Sequence, residues 1–399
     1  MHPPLCFCIV SFEGPDPYAR AGGLGVRVTH LADTLAQRGH ETHLFFVGAP
    51  DAPPQSTDHD GLLRWHRWGQ WISAHHPSGV YAGEDEKRRD LNASLPPFLV
   101  DAVIRPALGA GKLPVILAEE WHTAEALIHI HDQLEAAGLA HRCVLFWNAN
   151  NTMSFDQVPW ARLDAVAQIT AVSHYMRHLM WSWGVNALVI PNGIPADLLA
   201  PVPTHRIEAV RAALGASASD AVMLFKVGRF DPAKRWMMAI DAAAQLKARG
   251  HHVVFPLSGG AEPHGDAVRA HARAQGLTIS DINGQPSDWP ALLDLLRAAP
   301  RADLYNLHLF LQQPLLRPFY AAADAVLANS GHEPFGLVGL EAMAAGGVVF
   351  TGSTGEEYAF SERGARTLDT DDPTELTAQI EYLRSDPDLA ASMRAAARE

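Results

Sequence analysis

Short apolar runs alternate with stretches of helical period along nearly the whole chain, and this alternation confines it to α/β units built around parallel sheets. Leu5–Phe12 reads as the first strand. The glycine turn Ala21-Gly22-Gly23-Leu24-Gly25 follows, then a helix carrying Leu24, Val28, Leu31 and Leu35 on one face. Gly39 is a natural stop for that helix, and His43–Val47 reads as the next strand. Further strands are expected at Val115–Ala118, Cys143–Trp147, Gln168–Val172 and Ala187–Ile190. Beyond them strands are expected at Val222–Val227, His252–Leu257, Leu307–Leu311, Ala325–Ala328 and Val348–Phe350. Asp51 to Pro97 breaks the rhythm with Trp, His, Pro and charge, and reads as an irregular, functional insert. Its Trp65, Trp68 and Trp71 form a stripe that suits either core packing or a sugar platform. The Pro191-Asn192-Gly193-Ile194-Pro195 punctuation marks a junction between an N-terminal domain over 1–195 and a C-terminal domain over 196–399. A chain of 399 residues suits two cores rather than one. The expected fold is therefore α/β, with two Rossmann-like doubly wound domains facing a central cleft and ligands at the carboxyl ends of the strands.

Composition narrows the function. A formal charge of −13 argues against nucleic acid as a partner. No run approaches the roughly 20 apolar residues of a transmembrane helix. Leu5–Phe12 runs straight into Glu13 and Gly14 with no charged n-region before it, so a cytoplasmic protein is expected. Cys6, Cys8 and Cys143 read as reduced core residues, Cys6 and Cys8 on one face of a strand. The pairs His75-His76, His251-His252 and His174/His178 lack the spacing of a closed ligand set, so no metal site is expected.

Three segments carry chemistry. In Glu333-Pro334-Phe335-Gly336-Leu337-Val338-Gly339-Leu340-Glu341, a turn after a strand opens a helix whose amides and positive end suit a phosphate. Glu333 stands at the mouth, and Glu341 lies about 7 Å further along the axis at about 1.5 Å per residue. The two carboxylates are thus placed to hold different hydroxyls of one elongated ligand. In Val227-Gly228-Arg229-Phe230-Asp231-Pro232-Ala233-Lys234, Arg229 offers a planar fork and Lys234 a mobile charge at the end of a strand. In the first domain, Arg20 precedes the glycine turn of Gly23 and Gly25, where a backbone can approach an anion.

Together these segments resemble the retaining GT-B glycosyltransferases, in particular the large family related to glycogen, starch and sucrose synthases. Glu333 and Glu341 match that family's E-x7-E motif, and Arg229 and Lys234 its diphosphate-binding pair. Arg20 to Gly25 resembles K-x-G-G-L-G with Arg for Lys, Glu120-Trp121-His122-Thr123 resembles D-W-H-T, and Pro191-Asn192-Gly193-Ile194 matches P-N-G-[VI]. The resemblance implies a nucleotide-diphosphate-sugar donor, an acceptor hydroxyl on a carbohydrate or small molecule, retention of configuration and no separate cofactor. It implies that Glu333 binds the donor sugar and Glu341 the ribose, while Arg229 and Lys234 neutralise the departing diphosphate. The amides of Gly25, Gly336 and Leu337 would cradle that diphosphate, with Arg20, Gly23 and Phe335 also on the donor side. Trp121, His122, Asn148 and Asn150 would face the acceptor. Asn148 stands where family members often carry His, and an amide cannot exchange protons near neutral pH. With no D-x-D segment at a strand end, metal-independent transfer is expected. A GT-B-shaped sugar-nucleotide epimerase and a non-catalytic sugar-nucleotide-binding protein are the rival readings.

Overall fold

The computed structural model describes residues 3–359 and 363–398. The chain divides into two compact units, Met1–Gly193 and Ile194–Glu399.

The first unit is built on β1 (Leu5–Val10), β2 (Glu41–Val47), β3 (Gln55–Asp58), β4 (Leu63–Trp68), β5 (Leu113–Glu119), β6 (Val144–Ala149), β7 (Gln168–Ala171) and β8 (Leu188–Val189). Their order is β3-β4-β2-β1-β5-β6-β7-β8. All pairings are parallel except β3 with β4. The helix Gly23–Gln37 packs Val28, Ala32 and Ala36 against Ile9, Leu44 and Phe46. Central strands buried on both faces read as near-continuous apolar runs, which is why β1 and β2 are visible in the sequence.

The stretch from Asp51 to Pro97 is not irregular. It holds β3, β4 and most of a helix over Glu84–Leu99. The polar Gln55–Asp58 pairs at the sheet edge, where little is buried and no apolar alternation is required. The helix begins at Gly83, which is left-handed, with Glu84, Asp85 and Glu86 in its first turn, and runs through Pro96 and Pro97. The tryptophan stripe does not exist. Trp65 packs on the core below the Gly23–Gln37 helix, Trp68 meets Phe98 at a tilt with ring centroids 5.3 Å apart, and Trp71 is exposed. A spacing of three within a strand sends Trp65 and Trp68 to opposite faces.

The second unit holds β9 (Ala221–Val227), β10 (His252–Ser258), β11 (Ile279–Asn283), β12 (Leu304–His308), β13 (Ala325–Ala328), β14 (Val349–Thr351) and β15 (Ala365–Thr367). The order is β11-β12-β10-β9-β13-β14-β15, parallel throughout. The strand expected at Leu307–Leu311 lies three residues earlier. Tyr305 and Asn306 are the buried inner positions there, and Phe310 is exposed. Aliphatic and aromatic clusters cover both faces of the sheet, with Phe225, Phe319 and Tyr320 on one side and Phe255, Trp236 and Phe350 on the other. Apart from the edge strand β3, both sheets are parallel, and both are doubly wound. Among the described residues no helix is long and apolar enough to cross a membrane.

Candidate active site

In the second unit, β9, β13 and β14 are neighbours, so the loops leaving their carboxyl ends converge. The loop after β9 carries Arg229 and Lys234, the loop after β13 runs from Asn329 to Gly336, and the loop after β14 spans 352–358. Lys234 Nζ forms an ion pair with Glu333 Oε2, and Ser330 Oγ donates to the same oxygen at 3.0 Å. The structure thus brings together a cation and a carboxylate that lie 99 positions apart in sequence. Arg229 is exposed and, among the described residues, has no ion-pair partner.

Gly336 caps the helix Leu337–Ala344 at φ 82°, a left-handed conformation that favours glycine. A Cβ there would sit 2.9 Å from both Glu356 Cγ and Tyr358 Oη. The first amides of that helix have no intrahelical acceptor and point out of its positive end. Leu337 is half-buried in this first turn. Phe335 is turned inward onto Tyr358, with ring centroids 5.4 Å apart, so it supports the turn from below. Glu341 lies within the helix, 3.4 Å from Tyr320 Oη, and burial pushes its carboxyl pKa up.

The loop after β14 clasps the Glu333 turn, and its residues were not anticipated. Glu333 N–H donates to Thr354 Oγ1 at 2.9 Å, Gly355 N–H donates to Glu333 O at 2.8 Å, and Tyr358 Oη donates to Gly336 O. Thr354 has one hydroxyl proton and two acceptors for it at 3.1 Å, Glu333 O and Glu356 Oε2. Which one receives it depends on the charge of Glu356. Burial, with Glu333 nearby as a like charge, raises the Glu356 pKa to about 7, and its Oε1 is buried without a hydrogen-bond partner. A protonated Glu356 can donate to Thr354 and release the threonine proton to Glu333 O. Lys226 was also missed. It is buried under the loop, donates to Asn329 Oδ1 at 2.5 Å and Leu327 O at 3.0 Å, and burial lowers its pKa.

In the first unit, β1, β5 and β6 are adjacent and deliver a second cluster. Here several expectations are corrected. The turn amides read as an anion cradle are already occupied. Ala21, Gly22 and Gly25 N–H all donate to Glu13 Oε2, at 3.2, 2.9 and 3.0 Å, and Tyr81 donates to Glu13 Oε1 at 2.6 Å. Gly25 therefore has no free amide for a diphosphate. Gly23 at the helix start is exposed. Arg20 is exposed and bonded to Pro15 O at 2.9 Å rather than turned into the cluster.

The expected acceptor residues are mostly interior. His122 is stacked on Phe12 at 4.2 Å and bonded to Glu84 Oε1 at 2.6 Å; burial lowers its pKa, against the pull of Glu84. Trp121 is buried beside it, with the Arg88 guanidinium 5.3 Å from its ring. Asn148 uses both ends of its amide inside the sheet, donating to Glu119 Oε2 at 3.0 Å and accepting from Thr170 Oγ1 at 2.8 Å. It is not available to an acceptor. Asn150 is half-buried and also donates to Glu119 Oε2, at 2.9 Å. Glu119 is the hub, because Arg27 also binds it in a two-pronged pair at 3.2 and 3.1 Å. Beside it Glu120 adopts φ 68°, uncommon for a side-chain-bearing residue and a mark of local strain. Burial lifts the Glu120 pKa to about 8. Glu13, Arg27, Tyr81, Glu84 and Glu119 were all missed by motif reading. The only signal for Glu13, Arg27 and Glu119 was a charged residue inside or beside an apolar run, and Tyr81 and Glu84 carried none.

Comparison with known proteins was consistent across both units. Residues 21–198 match the Glycosyltransferase Family 4 domain, and residues 208–399 match the Glycosyl transferases group 1 domain. A D-inositol 3-phosphate glycosyltransferase of Thermobispora bispora is 27% identical, over 94% of this chain and 85% of its own length. The sucrose-phosphate synthase of Thermosynechococcus elongatus superposes with a TM-score of 0.66 at 21% identity, covering 99% of this chain and 93% of that one. The catalytic domain of starch synthase IV from Arabidopsis thaliana, bound to ADP and acarbose, superposes at 0.69 with 16% identity, covering 99% and 95%.

Proposed function

This chain belongs to the group 1 glycosyltransferases of the GT-B fold, and we propose that it moves a sugar from a nucleotide-diphosphate sugar to an acceptor hydroxyl with retention of configuration and without a metal ion. The observation that carries the donor side of this reading is the ion pair of Lys234 with Glu333, three residues before the Gly336 cap, with Arg229 exposed on the same loop as Lys234. In the absence of donor, Lys234 and Glu333 neutralise each other. A bound donor exchanges this pair for two contacts of different kinds. Glu333 turns to the sugar hydroxyls, and Lys234 joins Arg229 and the helix end at the diphosphate. Charge develops on the diphosphate as the glycosidic bond breaks, so fixed cations there favour the transition state over the ground state. Gly25 has no part in this scheme, because Glu13 holds its amide.

The family resemblance supports retention, as does the inward use of Asn148, which offers no base at that position for an inverting attack. The relatives named for D-inositol 3-phosphate make a polyol phosphate the first acceptor to try. An epimerase would instead need acid and base groups at the sugar, and no observation favours it. Thermal melting with UDP, ADP and GDP, each alone and as the glucose conjugate, tests the reading. One base series raises the melting point if a donor binds the native state. No shift with any of the six would count against it.

A further inference from the structure

At the amino end of the first sheet, far along β1 and β2 from the loops just described, two neighbouring strands present four metal-ligand side chains. Cys6 lies opposite Glu41 and Cys8 opposite His43 in the parallel register. Alternation along a strand sends all four to one face. The Cys6 Sγ, a Glu41 carboxylate oxygen and a His43 ring nitrogen lie within 4.8 Å of one another. Around a tetrahedral zinc ion, with bonds of about 2.0–2.3 Å, such atoms stand about 3.3–3.8 Å apart. A contraction of about 1 Å would close the set, which is within the reach of small χ rotations.

We propose that Cys6, Glu41 and His43 form a structural zinc site, with Cys8, whose Sγ stands outside that close set on the same face of the sheet, turning in as the fourth ligand. Four features of the surroundings argue for a built site. The donors are two sulfurs, an imidazole and a carboxylate, the set that zinc selects. His43 Nδ1 lies 3.0 Å from His66 Nε2, and Nε2 lies 3.2 Å from Glu41 Oε1. A proton on Nδ1, donated to His66, leaves the Nε2 lone pair for a metal that displaces Arg64 Nη1, now 3.4 Å from that nitrogen, and such an outer partner is a regular feature of metal-bound histidine. Nearby cations also favour the anionic cluster: two thiolates and a carboxylate around Zn²⁺ leave one net negative charge, and Lys112 Nζ at 2.6 Å and Arg64 Nη1 at 2.9 Å from Glu41 set two positive charges against it. Finally, Cys6, Cys8 and His43 are buried on rigid strands while Glu41 reaches the surface, so the ion would enter past Glu41 and would not meet substrate. Binding releases the thiol protons of Cys6 and Cys8 to solvent; no other bond changes.

The test uses the full chain, reduced, stripped with chelator and dialysed. Cobalt(II) replaces zinc as a coloured probe. One equivalent should produce visible ligand-field bands and a near-ultraviolet thiolate-to-cobalt charge-transfer band, both bleached by zinc. Cys6→Ser and His43→Gln should each lose the one-equivalent binding, while Cys143→Ser keeps it. Should the buried substitutions prevent folding, wild-type protein serves alone. Zinc should then slow alkylation of Cys6 and Cys8 at least tenfold by mass spectrometry and leave Cys143 unchanged. Absence of the charge-transfer band in folded wild-type protein, its survival in Cys6→Ser, or zinc-independent alkylation of Cys6 would each overturn the proposal.

Discussion

Glu356 gives the sharpest stability prediction. Its pKa rises from 4.5 to about 7 because the carboxyl is buried beside Glu333 with one oxygen unpartnered. The sign follows from proton counting. Between these values the folded protein holds a proton that the unfolded chain has released, so stability is full below pH 4.5 and is lost as pH rises through 7. The whole shift corresponds to about 3 kcal/mol at about 1.4 kcal/mol per unit. Between pH 5 and pH 8, where the unfolded carboxyl is already largely ionised at the lower end, about 2.5 kcal/mol of it is expressed. Glu356→Gln stays neutral, can donate to Thr354 Oγ1 as the protonated acid would, and removes the slope. The variant should therefore gain about 2.5 kcal/mol on wild type between pH 5 and pH 8, or roughly 5–10 °C in the melting of a unit this size. Calorimetry at several pH values reads the difference directly, and groups common to both proteins cancel. Parallel stability curves for Glu356→Gln and wild type would refute the argument.

Three further outcomes are expected. Glu341→Ala should weaken binding of the nucleoside diphosphate at least tenfold by calorimetry while the melting point of the free protein changes little; equal affinity would remove Glu341 from the nucleotide site. Initial rates should be unchanged in excess EDTA and in added magnesium, since Arg229, Lys234 and the helix end supply the positive charge at the diphosphate; a rate restored only by magnesium would contradict those roles. Proton NMR of fresh product from an α-linked donor should show an α linkage, and a β linkage would overturn retention.

The parts of the fold that were legible are those where burial leaves no choice. β1 and β13 are unbroken apolar runs, and β2 and β9 are apolar over most of their length, as expected of central strands covered on both faces. The Gly336 turn was legible for a related reason, because only glycine fits a left-handed cap pressed by Glu356 and Tyr358. Edge structure was not legible. Gln55–Asp58 pairs on one side only and buries almost nothing. Nor were contacts between loops. Glu13 fills the glycine turn from 8 to 12 positions upstream, and Thr354 grips Glu333 from 21 positions downstream. Neither pairing follows any period: Glu13 reaches the turn because its own loop folds back on itself, and Thr354 meets Glu333 because the adjacent strands β13 and β14 release their loops side by side. Asn148 was misread for the complementary reason. A polar residue at a strand end looks solvent-facing until Glu119 and Thr170 are seen to consume its amide.

The division of labour at the second unit's strand ends is most directly tested by Glu333→Gln. Turnover of the stabilising sugar nucleotide should fall at least a hundredfold, as expected when a group that interacts mainly with the transition state is removed. Calorimetric affinity for the free nucleoside diphosphate should stay within about threefold of wild type, because Arg229 and Lys234 remain. Wild-type turnover in this variant, or a loss confined to nucleotide affinity, would contradict the assignment of Glu333 to the sugar and of the two cations to the diphosphate.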